Sequence, residues 1–200
     1  MAYLEGKNLV ASYGVVPILH ECSVKVEKGE LAVIVGPNGA GKSTVMRVLL
    51  GMLDATSGSV TLDGRDISTL STQDRIAEGL AFVPQTKNVF PSMTVEENLQ
   101  MGGFIRKDDI SKTIEEVYEL FPILHEKRKQ LAEQLSGGQR QQVAFGRAMM
   151  TRPSVMLLDE PTAGVSPIVM DEIFSNILDV RNAGMAVLMV EQNAQQALNI

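Results

Sequence analysis

The stretch Gly36-Pro37-Asn38-Gly39-Ala40-Gly41-Lys42-Ser43 sets glycines, a lysine and a hydroxyl residue at the spacing G-x-x-x-x-G-K-[ST]. That spacing suits phosphate chemistry. Glycines let the backbone curl so that successive N–H groups point at phosphate oxygens, and a helix opening at Lys42 adds partial positive charge. Lys42 is expected to reach the β- and γ-phosphates of a nucleoside triphosphate, and the Ser43 hydroxyl to ligate Mg2+. Farther on, Val155-Met-Leu-Leu-Asp159-Glu160 ends an apolar run in two acids. Asp159 is expected to hold the Mg2+ through water, and Glu160 to polarise the water that attacks the γ-phosphate. A third motif, Leu135-Ser136-Gly137-Gly138-Gln139, reads as a glycine turn with Ser136 as N-cap of a helix expected over residues 140–150. Its N–H groups at a helix N-terminus offer a second place for phosphate. One chain with one nucleotide site would present that second surface to a partner.

These residues need elements to hold them. Residues 31–35 (Leu-Ala-Val-Ile-Val) are apolar on both faces, as in a strand from the middle of a parallel sheet. With the glycine turn and a helix over residues 42–51 they open a βα unit. Residues 3–29 read as strands with turns; from His20 to Val26 polar and apolar residues alternate. Residues 85–151 read as mostly helical, with a capping box at Thr94-Val-Glu-Glu97 and an apolar stripe of Ile114, Val117, Leu120 and Phe121. Buried strands are expected over 155–158 and 185–190, around a helix over 167–182 that Gly184 stops. The alternation predicts an α/β fold with a largely parallel sheet. About 87–151 forms a helical lobe inserted into a nucleotide core of about 1–86 and 152–200.

Composition narrows the function classes. The chain has 200 residues, enough for one domain with a small inserted lobe, and is 44% hydrophobic and 21% charged, enough to bury a core. Eighteen Lys and Arg against 24 Asp and Glu leave a net charge of −6, a poor basis for sequence-independent nucleic-acid binding. Aromatics at 4%, without Trp, argue against a base-stacking platform. The single Cys22 cannot form an internal disulfide and suits a reducing, cytosolic setting. The start carries no secretory pattern. Apolar runs such as Met185-Ala-Val-Leu-Met-Val190 fall far short of the roughly 20 residues that span a bilayer.

Taken in order, residues 36–43, Gln85, 135–139 and Asp159-Glu160 resemble the ATP-binding subunits of ABC transporters, over essentially the whole chain. The resemblance implies a P-loop NTPase core with an antiparallel N-terminal β part and an inserted helical subdomain, using ATP and Mg2+. It implies that Thr44 completes the phosphate loop and that Tyr13 stacks on adenine, although packing alone would also account for this Tyr. It further implies that Gln85, otherwise a plain loop residue, senses Mg2+ and the attacking water, and that Ser136, Gly137, Gly138 and Gln139 contact the ATP of a second ATPase subunit. Membrane permease subunits and, indirectly, a solute-binding protein complete such an assembly at the cytoplasmic face of the cell membrane, with no nucleic acid.

Three finer stretches, Thr94-Val-Glu-Glu-Asn-Leu-Gln-Met-Gly-Gly103, Val117-Tyr-Glu-Leu-Phe-Pro122 and Val190-Glu-Gln-Asn-Ala-Gln-Gln-Ala-Leu198, are similar to the ATPases of branched-chain amino-acid importers. Importers of urea and short amides are related alternatives. Most of the family has a histidine where this chain has Gln192, which can hydrogen-bond the γ-phosphate but cannot carry a proton. His20 and His125 lie outside every motif and read as surface or packing residues. The loop after Glu160 has Val165-Ser166-Pro167 where Leu-Asp is usual. The resemblance also implies further strands and helices after Ile200, so the family domain is expected to be incomplete there. Two other readings are weighed. A nucleic-acid or ribosome ATPase conflicts with the negative charge and with the absence of heptads between Lys42 and Ser136. A scaffold that closes on ATP but hydrolyses it slowly conflicts with the presence of Glu160.

Overall fold

The computed structural model describes residues 3–192. In chain order the elements are β1 (Leu4–Tyr13), β2 (Val16–Val26), β3 (Leu31–Val35), α1 (Lys42–Leu50), β4 (Ser57–Leu62), β5 (Arg65–Asp66), α2 (Thr72–Ala77) and β6 (Leu80–Val83). There follow α3 (Val95–Gly102), α4 (Ser111–Leu120), α5 (Pro122–Glu126), α6 (Gly137–Met149), β7 (Val155–Asp159), α7 (Pro167–Asn182) and β8 (Ala186–Glu191). The segment expected to extend to Leu198, and the end of the chain, lie outside the described residues.

The strands form two sheets. One is antiparallel in the order β2-β1-β4-β5, and the other runs β3-β8-β7-β6 with every pair parallel. In the parallel sheet the period-two alternation sends neighbouring side chains into two different cores. Val155, Leu157, Leu188 and Val190 pack with α1 and the antiparallel sheet, against Leu4, Leu9, Met46 and Leu49. Met156, Leu158, Val187 and Met189 pack with the helices, against Phe145, Val143, Ile173 and Ile177. The apolar runs of β7 and β8 therefore have no polar face. One expectation needs correction: β3 does not lie mid-sheet. Among the described strands it is an edge that pairs only with β8. It is apolar on both faces because Leu31 and Val33 join one core while Ala32 and Ile34 join the other. Burial on both faces, rather than two strand neighbours, produces that pattern.

Local chemistry sets the helix ends. Thr94 caps α3 with the expected capping box. The buried Asn98 amide donates to the Phe90 and Thr94 carbonyls, at 3.0 and 2.8 Å, and accepts from the Phe90 N–H, pinning the loop that follows Gln85. Helix α6 starts at Gly137, earlier than expected. Ser136 and Gln139 form a second capping box, which draws the two glycines into the first turn. Helix α3 crosses α6 closely enough that a Cβ on Gly102 would sit 2.2 Å from the Arg147 carbonyl oxygen.

Helix α1 ends on a buried cation that the sequence does not announce. Arg75, 3% exposed, donates to the carbonyls of Val48 (2.7 Å) and Leu49 (2.9 Å), and also to Leu70 and Ser68. It thereby satisfies the Leu49 carbonyl, adds a second donor to the Val48 carbonyl that already accepts from the Gly51 N–H, and faces the negative end of that helix's dipole. Arg75→Ala should destabilise the chain by about 3 kcal/mol or more, because several buried acceptors lose a charged donor together. Urea denaturation would read this as a lower midpoint. Arg75→Lys should restore less than half, since an ammonium lacks the guanidinium fork.

Candidate active site

The site begins where β3 ends. Gly39 and Gly41 take left-handed backbone angles, φ 82 and 86, which curl residues 36–41 back over the start of α1. Gly41 is the N-cap of α1, with no side-chain cap and no acid in the first turn, so the leading amides face outward for an anion. Lys42, 6% exposed, is folded back along the loop. Its Nζ donates to the Gly36 carbonyl (2.8 Å) and the Pro37 carbonyl (3.1 Å) and pairs with Glu160 Oε1 at 3.2 Å. A cavity of about 480 Å3 opens over this turn, lined by Asn38, Gly39, Gly41, Lys42, Ser43, Thr44, Gln85 and Glu160 together with Ile18.

Parallel pairing brings the acids to the same rim. Asp159, the last residue of β7, accepts a 2.9 Å hydrogen bond from Ser43 Oγ across the sheet edge. Burial pushes the Asp159 carboxyl above its ordinary range, and the Ser43 bond offsets this only in part. Gln85 Nε2 donates to Glu160 Oε2 at 3.2 Å, so Glu160 is held between Gln85 and Lys42. Ser43 and Asp159 present hard oxygen donors side by side, a set that fits Mg2+.

The other expected residues lie elsewhere. Tyr13 does not line the cavity; its hydroxyl accepts from Arg47 Nη1 at 2.9 Å, which ties the end of β1 to the exposed flank of α1. Gln192 is exposed beyond β8 and also outside the cavity. In the second glycine turn Ser136 Oγ accepts from the Gln139 N–H, and Gln139 Oε1 accepts from the Ser136 N–H, both at 3.2 Å. Gly138 lets this turn approach α7, since a Cβ there would meet the Glu172 carboxylate at 2.3 Å. None of these four residues reaches the phosphate-loop cavity. His20 and His125 are exposed, and His125 packs edge-on to the Tyr118 ring with centroids 5.1 Å apart.

Residues 19–163 match the ABC transporter family. The chain belongs to the ABC transporter ATP-binding family. Members of that family hydrolyse ATP, and this chain is an ATPase whose nucleotide is ATP. It is 45% identical to the high-affinity branched-chain amino acid transport ATP-binding protein BraG of Pseudomonas aeruginosa, over 94% of this chain and 81% of that one. It is 37% identical to the lipopolysaccharide export system ATP-binding protein LptB of Haemophilus influenzae, over 100% of this chain and 84% of that one. The crystal structure of the ADP conformation of MJ1267, an ATP-binding cassette of an ABC transporter, superposes with a TM-score of 0.91 at 32% identity, covering 100% of this chain and 84% of the other.

Sequence reading of this ABC ATPase missed Glu191 and Thr162. Glu191 is 2% exposed, although a charge ending an apolar run reads as a strand leaving the core. Its one signal in the sequence is its position beside Gln192. Two outcomes test the site. Lys42→Ala should weaken ATP binding about 10- to 150-fold, the loss of a charge-assisted contact of roughly 1.5–3 kcal/mol, in a nucleotide titration. Asp159→Asn should raise the Tm of the nucleotide-free chain while abolishing Mg2+-dependent turnover. The sign follows from the raised carboxyl: stability tied to its protonated form is present in acid and lost as pH rises through the folded-state pKa, so at neutral pH the buried charge is a cost that Asn removes.

Proposed function

We propose that this ATPase is one of two ATP-binding subunits that drive a membrane importer of branched-chain amino acids. The observation that carries the reading is the likeness to the BraG protein, at 45% identity over 94% of the chain. Two such chains close head to tail around two ATP molecules, each site made from the phosphate loop of one chain and the Ser136–Gly137–Gly138–Gln139 turn of the other. The separation of that turn from the phosphate-loop cavity supports this arrangement. ATP contacts that span both chains shift the population toward the closed pair, and loss of the γ-phosphate releases it.

Within each site Lys42 leaves Glu160 for the β- and γ-phosphates, and the freed Glu160 carboxylate orients and polarises water, with Gln85 reporting on the same water. Ser43, Asp159 and Gln85 would hold Mg2+, which when bound would neutralise charge on the phosphate oxygens. Tyr13 stacks on adenine, and Gln192 hydrogen-bonds the γ-phosphate. Residues from about 87 to 151 act as the helical lobe that passes the motion to permease subunits, while about 1–86 and 152–200 belong to the nucleotide core. Among the described residues no helix is long and apolar enough to cross a membrane, and the spanning segments are assigned to the permease subunits. The permease holds this subunit at the cytoplasmic face of the membrane, where a solute-binding protein acts only indirectly.

A second reading has its own support. The likeness to the LptB protein covers 100% of the chain at 37% identity, which keeps an export assembly in view as the alternative to amino-acid, urea or amide uptake. Glu160→Gln should lower ATP turnover by about 10²–10⁴-fold, the usual contribution of a positioned base, while ATP binding persists. Turnover of the wild type should rise faster than linearly with protein concentration if the sites are shared. For the solute, radiolabelled leucine uptake is compared in cells lacking the gene and in cells complemented with the wild type or Glu160→Gln. Restoration by the active form alone supports the importer; uptake unchanged by the deletion moves the assignment to another solute or to export.

A further inference from the structure

Glu191 joins the start of the phosphate loop, the turn that follows Glu160, and Gln192. It is the last residue of β8, paired in register with Val35, and its main-chain oxygen accepts from the Gly36 N–H at 3.4 Å, where the phosphate loop begins. Its side chain engages the turn that follows Glu160. Oε1 accepts from Thr162 Oγ1 at 2.8 Å and from the Thr162 N–H at 3.3 Å, and the Gln192 N–H bonds the same carboxyl. Thr162 is buried, two residues beyond Glu160.

The segment that Thr162 belongs to is strained. Glu160 adopts φ 44, a left-handed conformation that non-glycine residues rarely take and that survives only where the surroundings impose it. The Glu160 N–H is fixed to the Val190 carbonyl at 3.0 Å, and Ala163 N–H closes the turn on the Glu160 carbonyl at 3.1 Å. What holds the far side of that turn is the Glu191–Thr162 pair. Burial raises the Glu191 carboxyl above its ordinary range, and its bonds to Thr162 and Gln192 counter this only in part, so the fold bears a cost in keeping an acid there.

We infer that Glu191 is a positioning residue for ATP hydrolysis: its buried carboxylate holds the left-handed turn at Glu160 in register with the phosphate loop and with Gln192. It touches no reacting atom. Its effect passes through Thr162 to the direction in which the Glu160 carboxylate points, and through its own main chain to Gly36. The inference rests on the ATPase activity of the family and is independent of the solute carried.

The test is steady-state ATP turnover of Glu191→Ala, Glu191→Gln, Thr162→Val and the Glu191→Ala/Thr162→Val double variant, each with a melting curve and a nucleotide titration. Glu191→Ala should lower kcat about 10- to 100-fold, the scale of an ångström-sized misplacement. KM and ATP affinity should stay within about threefold, because ground-state binding is left in place. Glu191→Gln keeps an acceptor oxygen for Thr162 and should recover most of kcat. The double variant should be no slower than Glu191→Ala alone, since both remove one link. Turnover of Glu191→Ala within twofold of wild type overturns the assignment, as does a double variant whose loss is the product of the singles. So does a loss of kcat that Glu191→Gln fails to relieve. Should Glu191→Ala not fold, Thr162→Val decides alone, and an unchanged kcat there overturns it.

Discussion

Parallel pairing of β8 with both β3 and β7 is the constraint on which the site depends. The registers Val35↔Glu191 and Asp159↔Val190 bring three strand ends to one rim, although the end of β3 lies more than a hundred residues before the other two along the chain. Ligands in open parallel sheets gather beyond the carboxyl ends of strands for this reason. A slip of one residue would turn every apolar side chain of β8 into the wrong core, so the two packed faces hold the register that the chemistry needs. Core packing and catalytic geometry are here the same requirement.

With the rim set, the electrostatics form a closed circuit. Lys42 is satisfied by Gly36, Pro37 and Glu160; Glu160 is shared with Gln85; Asp159 is shared with Ser43. Each of these groups is thus partnered inside the protein, which keeps a half-buried cluster of charge tolerable. The second glycine turn follows the same economy. Ser136 and Gln139 satisfy one another, so the turn is rigid and formed before any neighbour meets it.

Features written in short windows were legible in the sequence. The phosphate loop, the Thr94 cap, the α7 boundaries and the buried runs of β7 and β8 all depend on residues a few positions apart. Features set by partners distant in sequence were not. The five residues of β3 read alike whether one strand or two lie beside them, provided both faces are covered. Gly137 and Gly138 suggest loop by propensity, yet the reciprocal Ser136–Gln139 cap overrides the roughly 1 kcal/mol that each glycine costs a helix. The charges of Arg75 and Glu191 suggest surface, and only the folded chain supplies the carbonyls and the threonine that receive them.

Arg75 also bears on how defects in such a protein would be read. Helix α1 is nine residues long, so its two ends stand about 13 Å apart at 1.5 Å per residue. The phosphate loop rests on one end and the guanidinium closes the other. Loosening the far end frays a helix of about two and a half turns and disperses the amides gathered at the near end. A survey of inactivating variants would therefore score position 75 as a nucleotide-binding residue, although it touches no nucleotide. Inheritance of a damaged allele there would mimic a lesion in the active site.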